Sequence, residues 1–326
     1  MLLKCLLKYP AILTHNIILW LIFFTLISSI TIAAEPIKVL TQPEDLNVEK
    51  VALGRLLFFD KRLSKNNTLS CESCHLLKEG GDDNVQVSIG IEGRKGNINA
   101  PTVYNSGLNF RQFWDGRAAT LEQQALGPVQ NPVEMGELWP SVIAKLQADN
   151  TFSERFIQSY PTGLNRQNVT HAIAEFERSL VTIDAPFDRY LKGDASAISE
   201  QAKQGYQLFK DYGCVSCHQG AAVGGNMYQV FGVVNSYFKK RGNITEADYG
   251  RFGLTANKMD MHSFKVPSLR MVAHTAPYFH DGSVKTLRGA VDVMFEFQLG
   301  REAPDKDKDK IVSFLKTLAG KHKEFK

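Results

Sequence analysis

The sequence lacks the features that mark several classes of protein. Its 326 residues contain no low-complexity tract, and the formal net charge is only +4. Two of those charges, Lys4 and Lys8, lie in an N-terminal segment of targeting character, which leaves about +2 for the rest, too little to predict nucleic-acid binding. With 44% hydrophobic and 22% charged residues, the composition argues against disorder, a fibrous repeat and a multi-span membrane protein. A globular chain remains, long enough for two domains.

The first 34 residues differ in character from the remainder. Lys4 and Lys8 precede an apolar stretch over residues 17–32, and two alanines then precede Glu35. A basic start, an apolar stretch and small residues at the exit are typical of a secretory signal peptide. An uncleaved N-terminal anchor is the alternative, because the apolar stretch approaches the length that crosses a bilayer. Both interpretations predict that the rest of the chain works outside the cytoplasm.

Cysteine is scarce, and its placement is informative. Of five cysteines, Cys5 lies in the N-terminal segment. The other four form two copies of one pattern: Cys71-Glu-Ser-Cys74-His75 and Cys214-Val-Ser-Cys217-His218. This is the attachment signature of c-type haem, in which two thiols bond the haem vinyl groups and the histidine binds the iron. A zinc site needs no histidine after each pair, and disulfides leave the spacing unexplained. The sequence therefore predicts two covalently attached haem c groups.

The surroundings of the two motifs indicate a repeated helical unit. Gly54-Arg-Leu-Leu-Phe58 precedes the first motif and Gly205-Tyr-Gln-Leu-Phe209 precedes the second. Helical stripes are predicted by two further sets of apolar residues: Val169, Ile173, Phe176 and Leu180, and Ile311, Phe314, Leu315 and Leu318. The predicted fold class is mainly α, with two cytochrome c-like haem domains in tandem.

Breaks in the pattern suggest where these domains begin and end. Gly/Asn-rich residues 80–99 and 220–243 are predicted to be loops, and Pro, Gly, Asp and Ser cluster over residues 185–199. The predicted division is 1–34 as the targeting segment, 35–190 as the N-terminal haem domain and 191–326 as the C-terminal haem domain.

The two irons differ in the ligands available for their sixth position. Between His75 and His171 the only methionine is Met135, so the first iron is predicted to be open unless Met135 or His171 reaches it. After His218 the chain offers many candidates: Met227, Met259, Met261, Met271, Met294, His262, His274 and His280. One open and one closed iron predict an enzyme with its own electron relay.

Polar residues suited to such an enzyme follow the first motif. Glu134 lies where a carboxylate could move a proton of bound peroxide, and Gln124 could orient the peroxide. A solvated surface position is the alternative for Glu134. Trp114 is interpreted either as a bridge between the two haems or as a core residue.

At these residues the chain resembles the bacterial dihaem cytochrome c peroxidases, over nearly all of its length after residue 34. The matching segments are the two haem motifs, Asn99-Ala-Pro-Thr102, Phe113-Trp-Asp-Gly-Arg-Ala118, Gly127-Pro128 with Glu134, Val266-Pro-Ser-Leu-Arg270, Ala276-Pro-Tyr-Phe-His-Asp-Gly282, and Met294 before Gln298-Leu-Gly300.

The resemblance implies a role for each matching residue. His75 would bind the N-terminal peroxidatic haem, with Gln124 and Glu134 on its distal side. His218 and Met294 would bind the C-terminal haem that receives electrons. Trp114 would lie between the haems, and His280 would support that region. The resemblance also implies a calcium ion held by the Asn99 side chain and by the backbone carbonyls of Thr275 and Pro277.

The activity implied is reduction of hydrogen peroxide to water, with electrons from a small periplasmic cytochrome c or cupredoxin. A periplasmic homodimer is expected. One position departs from the family pattern, since Ile91 stands where many members carry a histidine that blocks the first iron until the other haem is reduced. Because isoleucine cannot bind iron, activity is predicted without prior reduction.

Two alternatives remain at the level of sequence. One is a dihaem electron carrier with both irons closed. The other is a related dihaem oxidase that modifies a protein partner, a branch that carries a tyrosine where this chain has Met294.

Overall fold

Helices account for most of the regular structure in the computed structural model, which describes residues 34–325. The α-helices are α1 (Val48–Phe58), α2 (Leu121–Gln130), α3 (Trp139–Gln147), α4 (Asn150–Ser159), α5 (Arg166–Ser179), α6 (Pro186–Leu191), α7 (Glu200–Asp211), α8 (Tyr237–Arg241), α9 (Phe252–Thr255), α10 (Leu287–Val293) and α11 (Asp305–Lys316). Strands β1 (Tyr228–Val230) and β2 (Ser263–Lys265) form one antiparallel pair, in which Tyr228 lies opposite Lys265. The predicted mainly α class is confirmed.

The predicted targeting segment lies, apart from its last residue, outside the described residues. Among the helices over residues 34–325, none is both long enough and apolar enough to cross a membrane.

The repeated segments before the two haem motifs form equivalent helices, α1 and α7. Each begins at a side-chain cap, because Asn47 accepts from the Lys50 amide and Ser199 accepts from the Ala202 amide. The shared glycines lie where another helix crosses. A Cβ on Gly54 would overlap the Ala172 carbonyl of α5, and one on Gly205 would overlap the Lys310 carbonyl of α11. Each half of the molecule therefore contains one close helix crossing that only glycine allows.

The predicted apolar stripes are buried as expected. The stripe of α5 continues to Leu180, one residue past the helix end, and the stripe of α11 continues to Leu318. The charged run begins α11 with Asp305 and Asp307 in its first turn, where negative charge favours the positive end of the helix dipole. The prediction of loops was correct for most of residues 80–99 but wrong for part of 220–243, which contains β1 and α8.

Hydrophobic contacts cross the predicted domain boundaries at both ends of the described chain. Ile37 packs in the core formed by α6, α7 and α11, whereas Phe325 packs with Phe58 and Tyr104 of the N-terminal half. The segment around residues 185–199 is also partly helical, and Phe187 of α6 belongs to the C-terminal core. The boundary at residues 190 and 191 stays a prediction.

Candidate functional site

The two Cys-x-x-Cys-His motifs adopt the same local conformation. Residues 71–73 and 214–216 each form a short 3₁₀ turn. The amide of the following histidine donates to the carbonyl of the first cysteine at 3.0 Å in both copies. All four cysteines are free thiols. Each motif therefore presents two thiols and one imidazole from a single turn, as covalent haem attachment requires.

Each motif histidine is held through the ring nitrogen that does not bind metal. His75 Nδ1 lies 3.3 Å from the Gly81 carbonyl oxygen, and His218 Nδ1 lies 3.4 Å from that of Val223. Because a carbonyl only accepts, Nδ1 carries the proton and Nε2 is left for iron. Burial lowers the pKa of His75 and lowers that of His218 to about 4, so both rings are neutral at pH 7. Both therefore suit a haem iron.

A largely apolar cavity of about 350 Å³ borders the second motif. It is lined by Cys214, Cys217 and His218, and Met294 borders it at the start of a π-helical turn (Met294–Leu299). Phe209, Phe264 and Leu299 are among the apolar residues of its wall. These residues fit a macrocycle bonded by two thioethers, with His218 and Met294 as iron ligands.

Glu134 lies close enough to the first motif to act on it electrostatically. Burial is the main cause of the raised pKa of Cys74, and the charge of Glu134 adds to it. The Glu134 carboxylate accepts a hydrogen bond of 2.6 Å from Asn131 Nδ2. Burial raises the pKa of Glu134, against the opposing effects of Asn131 and the Arg117 charge. The solvated-surface alternative does not describe this half-buried carboxylate.

Gln124 is half-buried on α2, the helix whose C-cap is Asn131. Its side chain makes no hydrogen bond to the other described residues. The amide is thus available to a ligand, but the structure shows no direct contact between Gln124 and Glu134.

Ile91 is fastened to the segment that carries Glu134. The Ile91 side chain is buried, and its amide donates to the Glu134 carbonyl at 2.7 Å. The neighbouring Gly90 lies so close to the Val133 carbonyl that a Cβ there would overlap it. The Ile91 backbone is therefore fixed to that of Glu134, and its buried aliphatic side chain lies against Gly136.

The two alternative ligands of the first iron both have contacts within the protein. Met135 is buried in a hydrophobic cluster with Val129 and Trp139, against which Cys71 of the first motif also packs. His171 Nδ1 lies 2.9 Å from the Tyr160 hydroxyl, and the side chain is half-buried.

Trp114 connects the cavity to a buried polar network. Its indole nitrogen donates to the Asn99 carbonyl at 2.9 Å, and its ring meets that of His280 edge to face at 6.4 Å. The Asn99 amide in turn donates to the His280 carbonyl at 2.8 Å. Trp114 also borders the cavity and packs against a hydrophobic cluster, while its role as a bridge between the haems stays a prediction.

The network beyond His280 was not predicted from the sequence. His280 Nε2 lies 2.7 Å from Asp248 Oδ1, and the Arg241 guanidinium pairs with both Asp248 and Asp281. Burial alone raises the pKa of Asp248, but the hydrogen bonds from Arg241, Thr245 and His280 hold it well below its usual range. The ligand atoms of Asp248, His280 and Asp281 lie within 4.8 Å of one another, but the guanidinium already neutralises the carboxylates. This cluster is a positioning device for His280.

The three residues of the implied calcium site border one cavity. Asn99, Thr275 and Pro277 all line it, as does Asp82. Asp82 Oδ1 is buried without a hydrogen-bond partner among the described residues, and burial raises the pKa of Asp82 to about 7. A hard cation takes oxygen ligands, so a cavity bordered by an orphaned carboxylate oxygen, an amide and two backbone carbonyls fits calcium.

Comparison with known proteins agrees with this arrangement. Residues 48–196 match the family model of the di-haem cytochrome c peroxidases. The chain is 49% identical over 287 residues to cytochrome c peroxidase Ccp of Escherichia coli, covering 88% of this chain and 61% of that protein. It is 46% identical over 296 residues to cytochrome c551 peroxidase of Nitrosomonas europaea, covering 90% of this chain and 85% of that protein. The solved structure of a MauG-like protein associated with microbial copper homeostasis matches with a TM-score of 0.75 at 30% identity, covering 90% of this chain and 95% of that one. The chain belongs to the family of di-haem cytochrome c peroxidases.

Proposed function

We propose that this protein reduces hydrogen peroxide to two molecules of water, with two electrons from a small periplasmic cytochrome c or cupredoxin and two protons from the solvent. The proposal is supported by the family, by the two matching haem motifs and by the carboxylate beside the first of them. When bound, the haem groups supply the redox chemistry, while the protein supplies iron ligation, proton handling and access for electrons.

Glu134 is assigned the proton transfer. As a carboxylate it would accept a proton from one oxygen of hydrogen peroxide and return it to the other oxygen. That second oxygen leaves as water when the O–O bond breaks. Asn131 holds this carboxylate in place through its 2.6 Å hydrogen bond. The Gln124 amide, which is free of other described partners, is assigned to orient the peroxide.

The buried Ile91 is the single observation that supports an open first iron in the oxidised protein. The Ile91 side chain cannot bind iron, and the Ile91 backbone amide fastens its loop to the Glu134 carbonyl. We infer that the first iron keeps an open position in the resting, oxidised protein, so that turnover needs no prior reduction. The same observation weighs against an electron carrier with both irons closed.

Electrons are assigned to enter at the haem held by His218 and Met294 and to pass the Trp114 region. Asn99, Thr275 and Pro277 would hold calcium there, close to the hydrogen bond between Trp114 and Asn99. Export to the periplasm and a homodimer are part of the same proposal, and fractionation and size-exclusion chromatography test them.

A peroxide assay on the oxidised protein as isolated, with reduced cytochrome c as donor, tests this function. We expect turnover without a reductive pretreatment, a high-spin ferric signal in electron paramagnetic resonance, and cyanide binding at one haem. The variant Glu134→Gln should lose at least 100-fold in turnover, because one general acid–base group contributes about that much or more. Glu154→Gln, at an exposed position of α4, is the matched control and should keep full turnover.

Each part of the proposal can fail by itself. Near-normal turnover in Glu134→Gln would remove the role assigned to that carboxylate. A purely low-spin oxidised protein that binds no cyanide would instead establish the electron carrier.

A further inference from the structure

Lys265 is a buried cation at the wall of the haem cavity. It ends strand β2, and only 7% of its surface is exposed. It borders the cavity that also contains His218 and Met294. Its ammonium group makes no ion pair or side-chain hydrogen bond with any residue of the described chain, although its backbone amide donates to the Trp114 carbonyl at 2.8 Å. Its charge is thus left without a protein partner.

A charge in this position needs a counterion. Removing an ammonium from water without pairing costs several kcal/mol, and buried lysines are accordingly found paired or deprotonated. Burial lowers the pKa of Lys265 to about 8, so the amine still carries its proton at pH 7. Asp82 is the carboxylate that borders the same cavity, but it lies beyond ion-pair distance of Lys265 and keeps an unpartnered oxygen of its own. The counterion must therefore come with the molecule that fills the cavity.

The group that this cavity suits has the matching charge. Haem is a flat apolar macrocycle with two propionate carboxylates on one edge, and the cavity is apolar apart from a few polar groups. Two thioethers from Cys214 and Cys217 would fix the opposite, vinyl-bearing edge. We propose that Lys265 pairs with a propionate of the C-terminal haem and so orients that propionate towards Trp114.

The backbone contact gives this pairing a functional consequence. Lys265 is bonded to Trp114 through the main chain, and Trp114 is bonded to Asn99 through its indole. Because Lys265 and Trp114 border the same cavity, a propionate held by Lys265 would lie on the assigned electron route. A nearby positive charge favours the ferrous form of a haem, because it offsets the negative charge that stabilises ferric iron. Lys265 should therefore raise the reduction potential of the C-terminal haem.

Redox potentiometry of the haem-loaded protein tests the pairing. We expect Lys265→Met to lower the midpoint potential of the Met294 haem, and Lys265→Arg to restore most of the shift because the cation is kept. Lys258→Met, at an exposed position on the preceding segment, should leave the potential unchanged. If Lys265→Met does not mature with two haems, Lys265→Gln replaces it in the same comparison.

The variant Asp82→Asn distinguishes a propionate from Asp82 as the partner of Lys265. If Lys265 pairs with the propionate, the shift caused by Lys265→Met should persist in the Asp82→Asn protein. A shift that vanishes in that background would assign Lys265 to Asp82 and overturn the proposal, as would an unchanged potential in Lys265→Met and Lys265→Gln proteins that hold both haems.

This inference rests on the proposed haem attachment but not on the peroxidase activity, and the two fail differently. A pyridine haemochrome count below two haems in the parent protein would refute the attachment. Two haems and the expected shift, without peroxide turnover, would refute only the activity.

Discussion

Asn131 opposes the rise that burial causes in the pKa of Glu134. Its hydrogen bond favours the carboxylate, whereas burial favours the neutral acid and is the larger effect. Because proton transfer requires the carboxylate, turnover should fall as the pH drops through a pKa above the ordinary value of about 4.3.

Asn131→Leu should move this acid limb to higher pH. The variant removes a hydrogen bond to a charged acceptor, a bond whose loss is worth about 1.5 kcal/mol or more, so we expect a shift of roughly one pH unit. The measurement is the pH profile of kcat/KM for peroxide. Gln130→Ala, an exposed change on the adjacent residue, should leave the profile in place. An acid limb that stays or moves to lower pH would contradict the assigned contact.

Among single residues, the sequence predicts those that belong to a motif of fixed local spacing. It misses those whose partners are distant in the sequence. His75 and His218 follow directly from the five-residue motif, since both thiols and the imidazole come from one turn. Asp248 lies 32 residues before His280, and no spacing links the two. The sequence likewise gave no sign of Lys265, because its importance comes from the burial of its ammonium group without a partner among the described residues.

Among the elements, the helix crossings at Gly54 and Gly205 show what a repeated pattern can predict. The recurrence of glycine and phenylalanine before each motif indicated two equivalent helices, and both exist. Sequence similarity alone did not explain why glycine recurs. The structure supplies the reason, since a carbonyl of the crossing helix occupies the place of a Cβ. The short elements β1 and α8 escaped prediction because their stability comes from tertiary contacts such as those of Tyr237 and Phe238.

Gly205→Ala should therefore destabilise the protein although alanine is the better helix former. Alanine gains about 1 kcal/mol in helix propensity, but the helices α7 and α11 must separate to admit the methyl group. We expect a net loss of about 1–3 kcal/mol in the free energy of unfolding, as for other overpacked positions. Urea unfolding of the haem-loaded protein gives this value. Gly253→Ala in α9 is the matched control, because no atom lies within 4 Å of its added Cβ, and it should be neutral or stabilising. Equal effects from the two variants would argue against the crossing.

On the scale of the whole molecule, each end of the described chain packs against the half of the protein that is distant from it in sequence. The tandem arrangement did not predict this. Ile37 packs with the C-terminal core and the Lys38 carbonyl accepts from Arg270, whereas Glu324 pairs with Arg55 of α1. Such contacts depend on where residues 37–38 and 324–325 lie in the fold, and neither periodicity nor motif spacing encodes that. The family resemblance covered the residues of the Val266–Arg270 segment but gave no reason for the arginine.

The contacts of Arg270 explain why an arginine stands at this position. Its removal should be among the most destabilising changes in the described chain. Arg270 and Asp188 are fully buried, and two nitrogens of the guanidinium each lie 2.9 Å from a carboxylate oxygen. Arg270 Nε and Nη2 also donate to the carbonyls of Ala221 and Lys38, so one side chain joins α6, the loop after the second haem motif and the segment at Lys38.

Replacing only one partner leaves the other charge buried and unpaired, which costs about 3–5 kcal/mol. We expect Arg270→Met to lower the free energy of unfolding by that amount in urea titrations. The double variant Arg270→Met with Asp188→Leu should recover part of the loss, because no unpaired charge remains. Arg55→Met removes a comparable pair with Glu324 that is half exposed, and its cost should stay below about 1 kcal/mol. If Arg270→Met proved as mild as Arg55→Met, the buried pair would not be what holds the segment at Lys38 to α6 and to the loop after the second haem motif.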